Sequence, residues 1–234
     1  MKRFYQTVAV SEGSEGFGVT LDGKALRSPG KRPLELPTRA LAAAVAAEWD
    51  SQGEAIKPDT MPLMALACTA IDLPLEKRDA VAAEAVNYAG TDLLCYRAEW
   101  PESLVLRERA VWQPLLDWAS DTFDAPLRVT AGIVPVEQPA DSLKALRAVL
   151  DRLDTLTLVG VADLTSCCGS LILALALWDG RLDAAGAYQA TELDERHQNE
   201  RWGEDAEAMV RRRRVEGDIR AGAEFLRLLR GGLA

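Results

Sequence analysis

The chain contains little histidine and little cysteine, which excludes several kinds of chemistry. His197 is the only histidine among 234 residues, so neither a histidine-rich zinc site nor a di-iron site with two Glu-x-x-His pairs can form. The cysteines, at positions 68, 95, 167 and 168, show no Cys-x-x-Cys spacing, and a disulfide between sequence neighbours is strained. We therefore expect buried free thiols, a reducing compartment, and no metal or other cofactor.

The sequence also lacks a long hydrophobic run and an excess of basic residues. Its most apolar stretch, 156–178, is interrupted by polar residues, and the unbroken part, 171–178, is too short to span a bilayer. With 27 Lys and Arg against 36 Asp and Glu, the formal net charge is −9, which disfavours a nucleic-acid partner. We expect a protein that neither binds nucleic acid nor inserts stably into a membrane.

The first 58 residues are expected to form a small α/β N-terminal domain. Residues 17–21 alternate between apolar and small or polar side chains, which is the period of a half-buried strand. Asp22-Gly23 is a strong hairpin signal, and 24–27 should return as the next strand. A helix over 38–52 is predicted to follow, and Thr38 can cap it.

Residues 59–234 carry the apolar periodicity of helices joined by short polar loops, which predicts a bundle-like helical C-terminal domain. The expected fold class is therefore α+β: a small β-rich N-terminal domain with a helix, followed by a larger, mainly α-helical domain. The stretches 91–97 and 128–136 could each be a short strand or irregular chain. The helices are predicted over 61–71, 75–88, a segment from 101 through 118, 139–153, 155–178 (two packed helices or one kinked helix), 181–200, 203–215 and 218–230.

Two charged segments near the C-terminus could carry function. The acidic segment, 191–205, places six carboxylates around one tryptophan, and on a helix Asp194 would lie near His197. Carboxylates this close could act as acid and base, hold a cation or dock basic groups of a partner, and an ordinary charged helix is the alternative. The residues concerned are Glu192, Asp194, Glu195, Glu200, Trp202, Glu204 and Asp205.

The second charged segment is the run of four arginines from Arg211 to Arg214. Such a run could bind phosphate or nucleic acid. Consecutive residues fan around a helix, however, and Glu207 and Glu216 lie four residues before Arg211 and Arg220. This spacing favours a solvated helix face with surface ion pairs.

The six tryptophans divide into two groups. Four lie at helical spacing among aliphatic residues and are expected in the core: Trp49, Trp112, Trp118 and Trp178. The other two, Trp100 and Trp202, lie near predicted helix ends and could be exposed anchors for a partner.

A series of short stretches runs in order along nearly the whole chain: 3–5 (Arg-Phe-Tyr), 17–36 with its Leu-Asp-Gly turn, 47–50 (Ala-Glu-Trp-Asp), 61–72, 91–97 (Thr-Asp-Leu-Leu-Cys-Tyr-Arg), 112–118 (Trp-Gln-Pro-Leu-Leu-Asp-Trp), 169–171 and 193–205. Together they resemble the Atp12 family, the assembly chaperones for the F1 sector of ATP synthase. The set is far more specific than any single motif. Met64 and Cys68 depart from the Thr and Asn that the resemblance leads us to expect, in a helix predicted to be buried.

The resemblance implies a chaperone without catalytic turnover. It would bind the unassembled F1 α subunit, a protein partner, and shield its β-facing interface until the β subunit replaces it. The resemblance also implies the α/β and helical division described above. The family is mitochondrial in eukaryotes, and because this chain begins at the family's core we expect a bacterial cytoplasm or a processed mature form. We expect a monomer.

For the docking surface we choose the acidic segment, with its carboxylates facing basic groups of the α subunit and Trp202 as an apolar anchor. The stretch 91–97 is a second candidate, although its polar residues could be buried structural groups. The competing hypothesis is an enzyme that uses His197, Asp194 and Glu200 as an acid/base or metal centre. A third hypothesis is a structural subunit that stays in the assembled complex.

Overall fold

The structure is a computed structural model, and it describes residues 1–14, 16–132, 134–203 and 206–231. The chain opens with an antiparallel sheet of order β1–β2–β3, formed by Val8–Glu12, Phe17–Leu21 and Lys24–Ala25. Asp22 and Gly23 both have positive φ, at 48° and 78°, so the predicted hairpin is confirmed. Residues 33–36 add only isolated bridges to the sheet, at Pro33 and Leu36, and proline has no N–H to donate to a ladder.

Helix α1, Arg39–Asp50, packs its apolar face against β1 and β2. Thr38 caps it as predicted, since its Oγ1 accepts from the Leu41 amide at 3.1 Å. The same hydroxyl donates to the carbonyl of Leu228 at 2.8 Å, which ties the start of the helix to the C-terminal end of the chain. Residues 1–58, the expected N-terminal domain, are therefore joined to the helical part by a buried hydrogen bond as well as by chain continuity.

The described part of the remaining chain folds into helices and one further pair of strands. The helices are α2 Pro62–Asp72, α3 Leu75–Gly90, α4 Glu102–Phe123, α5 Ala140–Asp151, α6 Thr155–Cys168, α7 Leu171–Asp179, α8 Ala184–Thr191, α9 Leu193–Trp202 and α10 Ala206–Arg230. Strands β4, Tyr96–Arg97, and β5, Thr130–Ala131, pair in parallel, so both ambiguous stretches contain a strand. The fold class is α+β, as predicted. In the described residues, no helix is both long and apolar enough to cross a bilayer.

Helices α6, α7 and α10 form the centre of the helical part. Gly169, with φ of 64°, ends α6, so the stretch 155–178 is two helices. All seven residues from 171 to 177 are buried. Gly160 lets α10 approach α6 closely, because a Cβ there would lie 2.7 Å from Cδ2 of Leu226.

Two helix boundaries near the C-terminus differ from the prediction. The segment 181–200 is interrupted at Glu192, whose backbone leaves the helix while its side chain turns inward. The segments 203–215 and 218–230 are joined into α10, which continues through Gly217. A glycine in a helix interior costs about 1 kcal/mol relative to alanine. Burial of Ile219 and Phe225 on the same helix offsets that cost.

The exposed fractions of the tryptophan side chains test which of them lie in the core. Trp112 is completely buried and Trp49 is 9% exposed, whereas the other two expected core tryptophans are only half-buried. Trp100 is 76% exposed, as predicted for an anchor.

The four thiols are free, and all are buried except Cys167, which is half-buried. Burial raises the pKa of Cys167 to about 12, so this thiol is a poor nucleophile at neutral pH.

Candidate functional site

The acidic segment lies on α9, between α4 and α10. At its start, Glu192 marks the break between α8 and α9, and its side chain is only 6% exposed. Its Oε2 lies 3.3 Å from Nε of Arg212 on α10, whose side chain is 14% exposed. A carboxylate buried to this degree needs a cation beside it, because an unpaired buried charge is costly. The pair therefore fixes the turn between the two helices.

Two more carboxylates of α9 pair with arginines of the neighbouring helices. Glu195 forms an ion pair with Arg211 of α10. Glu200 pairs with Arg107 of α4, with 2.8 Å between Nη1 and Oε2. These two pairs are far more exposed than the first, with the carboxylate side chains 40% and 51% exposed. We call the three pairs the charge clasp: Glu192–Arg212, Glu195–Arg211 and Glu200–Arg107.

The clasp also accounts for two of the four consecutive arginines. Arg211 and Arg212 face the acidic segment, so the two charged motifs of the sequence are partners of each other. Arg214 lies 3.8 Å from Asp218 in the same helix. The expected pair of Glu216 and Arg220 is present at 2.8 Å. The later arginines of α10 therefore form the surface ion pairs that the spacing predicted. The first two arginines of the run instead pair with residues of α9 and its entry turn.

Asp194 faces a different residue of α4, Glu108, which is completely buried. Burial raises the pKa of Glu108 to about 7, although two contacts from the backbone amide of Ala98, at 2.9 and 3.1 Å, act against the rise. Burial also raises the pKa of Asp194, against the opposing effects of the hydrogen bond with Glu108 and the positive charge of Arg97. Neighbouring carboxyl groups disfavour simultaneous ionisation, because their negative charges repel each other. The two raised pKa values therefore mark a buried contact between α4 and α9.

His197 is buried, at 5% exposure, and its Nε2 lies 3.1 Å from the hydroxyl of Ser103 on α4. Asp194 and Glu200 are near enough for their charges to interact with His197, as the sequence predicted. Each of these carboxylates nevertheless has another partner, on α4. Within the described residues, no group of three His, Cys, Asp or Glu side chains is placed to hold a metal ion.

Two surface hollows flank α9. The first hollow has a volume of about 350 Å³, and Tyr188, Asn199 and Arg212 line it. The second hollow, of about 180 Å³, lies toward α4. Arg196 and Glu200 line both hollows. Glu200 thus stands on the ridge between two hollows, where a partner's side chain could reach it.

Part of the predicted site lies outside the described residues. Glu204 and Asp205 belong to that part. Trp202 ends α9, but its side chain is also outside it. The structure brings together Glu192, Asp194, Glu195 and Glu200 on one helix and its entry turn, against arginines of two other helices and one buried carboxyl group.

The second candidate stretch, 91–97, holds buried structural groups. Asp92 is completely buried and accepts from the amides of Leu94 at 3.1 Å and Ile172 at 3.2 Å. Its burial raises its pKa to about 6. The Arg97 guanidinium lies over the ring of Trp112, with its carbon 5.3 Å from the ring centroid. These contacts hold the stretch against α7 and α4, which is the alternative that the sequence left open.

The α4 partners of the acidic segment were not predicted from sequence. Ser103, Arg107 and Glu108 lie about ninety positions before the residues they contact. One signal could have identified Glu108. It occupies a position four residues from both Leu104 and Trp112, on the buried face of α4. A carboxylate in an apolar stripe requires a buried polar partner.

The comparisons with known proteins cover the first half of this chain in one case and most or almost all of it in the others. Residues 2–120 match the family described as ATP12 chaperone protein. The mitochondrial protein atp12 of Schizosaccharomyces pombe is 27% identical over 223 residues, which cover 88% of this chain and 75% of the relative. The crystal structure of Atp12 from Paracoccus denitrificans is 44% identical, with a TM-score of 0.91 and 98% of both chains covered, and an aspartate-to-lysine mutant of that protein gives the same values. A candidate chaperone from Agrobacterium tumefaciens is 41% identical, with a TM-score of 0.92 over 97% of this chain and 86% of the other.

The fold and these comparisons define the class of protein as an assembly chaperone. Within that class, the chain belongs to the ATP12 family, which acts in assembly of F1-ATPase.

Proposed function

We propose that this protein captures the unassembled F1 α subunit and shields its β-facing interface until the β subunit replaces it. The match to Atp12 over 98% of the chain is the observation that supports this function. An unassembled subunit of a ring exposes an apolar interface, and such a surface aggregates. A chaperone that covers it lowers the concentration of the aggregating species by mass action. Its affinity must be weaker than that of the β subunit, so a modest and partly polar interface is expected.

We propose the acidic segment as part of the docking surface. Glu195 and Glu200 are its most accessible described carboxylates, and each holds an arginine that a basic group of the α subunit could displace. Exchanging one ion pair for another changes the free energy little, which suits a reversible complex. Glu192 and Asp194, being buried or half-buried, would hold α9 in position. Trp202, Glu204 and Asp205 complete the surface in this proposal.

We further propose that the protein acts without catalytic turnover, as a monomer, in the compartment where F1 is assembled, which is the cytoplasm of a bacterium. The chaperone family supports the first part. The geometry around His197 is compatible with it, because the imidazole is buried against Ser103 and its two acidic neighbours are paired elsewhere.

The test is aggregation of refolding F1 α subunit, followed by light scattering, with β subunit added afterwards. We expect the protein to suppress scattering and to release the α subunit into an α–β assembly. Unchanged scattering, with no complex on a sizing column, would reject the function.

Charge reversal tests the docking surface separately. The double variant Glu195→Lys, Glu200→Lys should weaken capture of the α subunit by roughly tenfold or more, since like charges across an interface are unfavourable. The matched control is Glu12→Lys, Asp79→Lys, because these carboxylates are also exposed and also pair with arginines of other elements. Equal capture by both double variants, with circular dichroism unchanged, would remove the acidic segment from the interface.

A further inference from the structure

A hollow of about 490 Å³ lies between α10 and the turn that joins α7 to α8. It is larger than either hollow beside α9, and its described lining shares no residue with the acidic segment or the charge clasp. Pockets that bind small molecules usually measure about 300–1,000 Å³. The hollow therefore has the volume of a small-molecule site, in a part of the surface that the proposed docking does not use.

The floor of this hollow is apolar. Leu177, near the end of α7, is 7% exposed, and Leu182 and Ala184 continue the lining as half-buried residues. Ala223, also half-buried, lines the hollow from α10. The two alanines leave space that longer side chains would fill. An apolar chain placed there would leave water and contact aliphatic side chains, which is favourable.

Three arginines of α10 line the hollow, and two of them already have carboxylate partners. Arg220 pairs with Glu216 at 2.8 Å. Arg227 makes two contacts with Glu224, at 2.6 and 2.7 Å. Arg230, by contrast, makes no hydrogen bond or ion pair with any residue that the structure describes. Of these three positive charges, that of Arg230 is therefore the one that an added anion would neutralise.

The guanidinium of Arg230 is positioned at the hollow by an aromatic contact. Its carbon lies 5.9 Å from the centroid of the Trp178 ring, within the range of a cation–π interaction. Gly180 leaves room for it, because a Cβ at that position would lie 3.0 Å from Nη1 of Arg230. A guanidinium is a planar fork that binds a carboxylate through two parallel hydrogen bonds. The hollow thus combines an apolar floor with one available anion-binding group.

We propose that this hollow binds a small amphipathic anion, a medium-chain aliphatic carboxylate, with its chain on the apolar floor and its carboxylate on Arg230. The inference is independent of the proposed function. The acidic groups of the lining are engaged elsewhere: Glu224 binds Arg227, and Asp183 caps α8, where its Oδ1 accepts from the Gly186 amide at 2.7 Å. A cationic ligand would be repelled by Arg230, and a neutral one would not use it.

Isothermal titration calorimetry on the full chain tests the site, with octanoate as the probe and 1-octanol as its uncharged counterpart. We expect octanoate to bind saturably and 1-octanol to bind at least roughly tenfold more weakly. Decanoate should bind roughly tenfold more tightly than octanoate, because its two additional methylene groups are also buried. Both comparisons use the unsubstituted protein, so they do not depend on the folding of a variant.

Two variants separate the charge from the floor. Arg230→Met keeps an unbranched side chain beside Trp178 but removes the charge, so it should weaken octanoate binding by roughly tenfold or more and leave 1-octanol binding unchanged. The matched control is Arg214→Met, which makes the same change on the same helix at a residue that does not line this hollow. Ala223→Leu fills the floor and should weaken both ligands alike. Circular dichroism checks that the three variants fold alike.

Three outcomes would overturn the inference. If neither octanoate nor decanoate binds the unsubstituted protein, the hollow is not a site for this class of ligand. If octanoate and 1-octanol bind equally well, the hollow takes apolar chains without regard to charge. If Arg230→Met and Arg214→Met change octanoate binding to the same extent, the anion does not contact Arg230.

Discussion

Helices α7 and α9 have nearly the same length and are held in place by opposite means. In α7 the seven residues from 171 to 177 are all buried, and their side chains are aliphatic. Among the described side chains of α9, Leu193 and His197 are buried, and carboxylates connect the helix to arginines of α4 and α10. Apolar burial does not depend on charge screening, whereas exposed ion pairs are weakened by salt and can be exchanged by a basic partner. The molecule thus combines a fixed core with a charged surface whose contacts can be exchanged.

The largest effect should come from a cavity in the fixed core. Leu173→Ala removes a completely buried side chain from α7 and should lower the free energy of unfolding by about 3 kcal/mol. Leu75→Ala makes the same chemical change at an exposed site and should change it by less than about 0.5 kcal/mol. Urea unfolding measures both. Similar losses of unfolding free energy in the two variants would mean that the burial of α7 contributes no more to stability than an exposed side chain does.

A smaller effect, with a characteristic pH dependence, is expected at the contact between Glu108 and Asp194. The pKa of Glu108 rises on folding from 4.5 to about 7, so the folded protein binds more protons than the unfolded chain in that pH window. Stability should therefore fall as pH rises through the window, and the penalty is complete above it. Asp194, whose pKa is also raised, adds to the fall, and the nearby charges of Arg97 and His197 moderate it.

Glu108→Gln should abolish most of this pH dependence. Glutamine can still accept from the Ala98 amide and can donate to the Asp194 carboxylate, and it does not titrate. We expect the variant to be more stable than the original protein at pH 8, by about 2 kcal/mol, and to differ little at pH 4. Urea unfolding at several pH values, with the exposed Glu76→Gln as control, measures the difference. If the free energy of unfolding changes with pH equally in all three proteins, the contact between α4 and α9 does not titrate.

The comparison of α7 with α9 also separates what the sequence could predict from what it could not. The signals that define α7 are local: a cap at Ser170, eight apolar residues and Gly180 at the end. The sequence therefore predicted helix here, although it left open whether 155–178 is one kinked helix or two. The hairpin at Asp22-Gly23 and the exposure of Trp100 followed from equally local signals. The family resemblance covered nearly the whole chain and added the function class.

The arrangement around α9 was not predictable, because its causes are distant in sequence. Nothing near Glu192 indicates that the helix must break there; the reason is Arg212, twenty positions later. The pairing of Glu195 with Arg211, which joins two helices, could not be read from spacing within one helix. Gly217 is an ordinary helix breaker in isolation, and the buried face of α10 overrides it. Tertiary contacts decided each of these positions.

The smallest effect should distinguish two neighbouring arginines of the clasp. Arg211→Met removes the partner of Glu195, whose side chain is 40% exposed and can be solvated, so the cost should be less than about 1 kcal/mol and should shrink further in 1 M salt. Arg212→Met leaves the buried Glu192 beside an apolar side chain, so it should cost more, about 2 kcal/mol, and remain insensitive to salt. Urea unfolding at low and high salt compares the two. If both variants lose the same free energy of unfolding with the same salt dependence, the buried pair Glu192–Arg212 contributes no more to stability than the exposed pair Glu195–Arg211. If only Arg211→Met responds to salt, a partner can exchange the outer ion pairs of α9 while the inner pair keeps the helix in place.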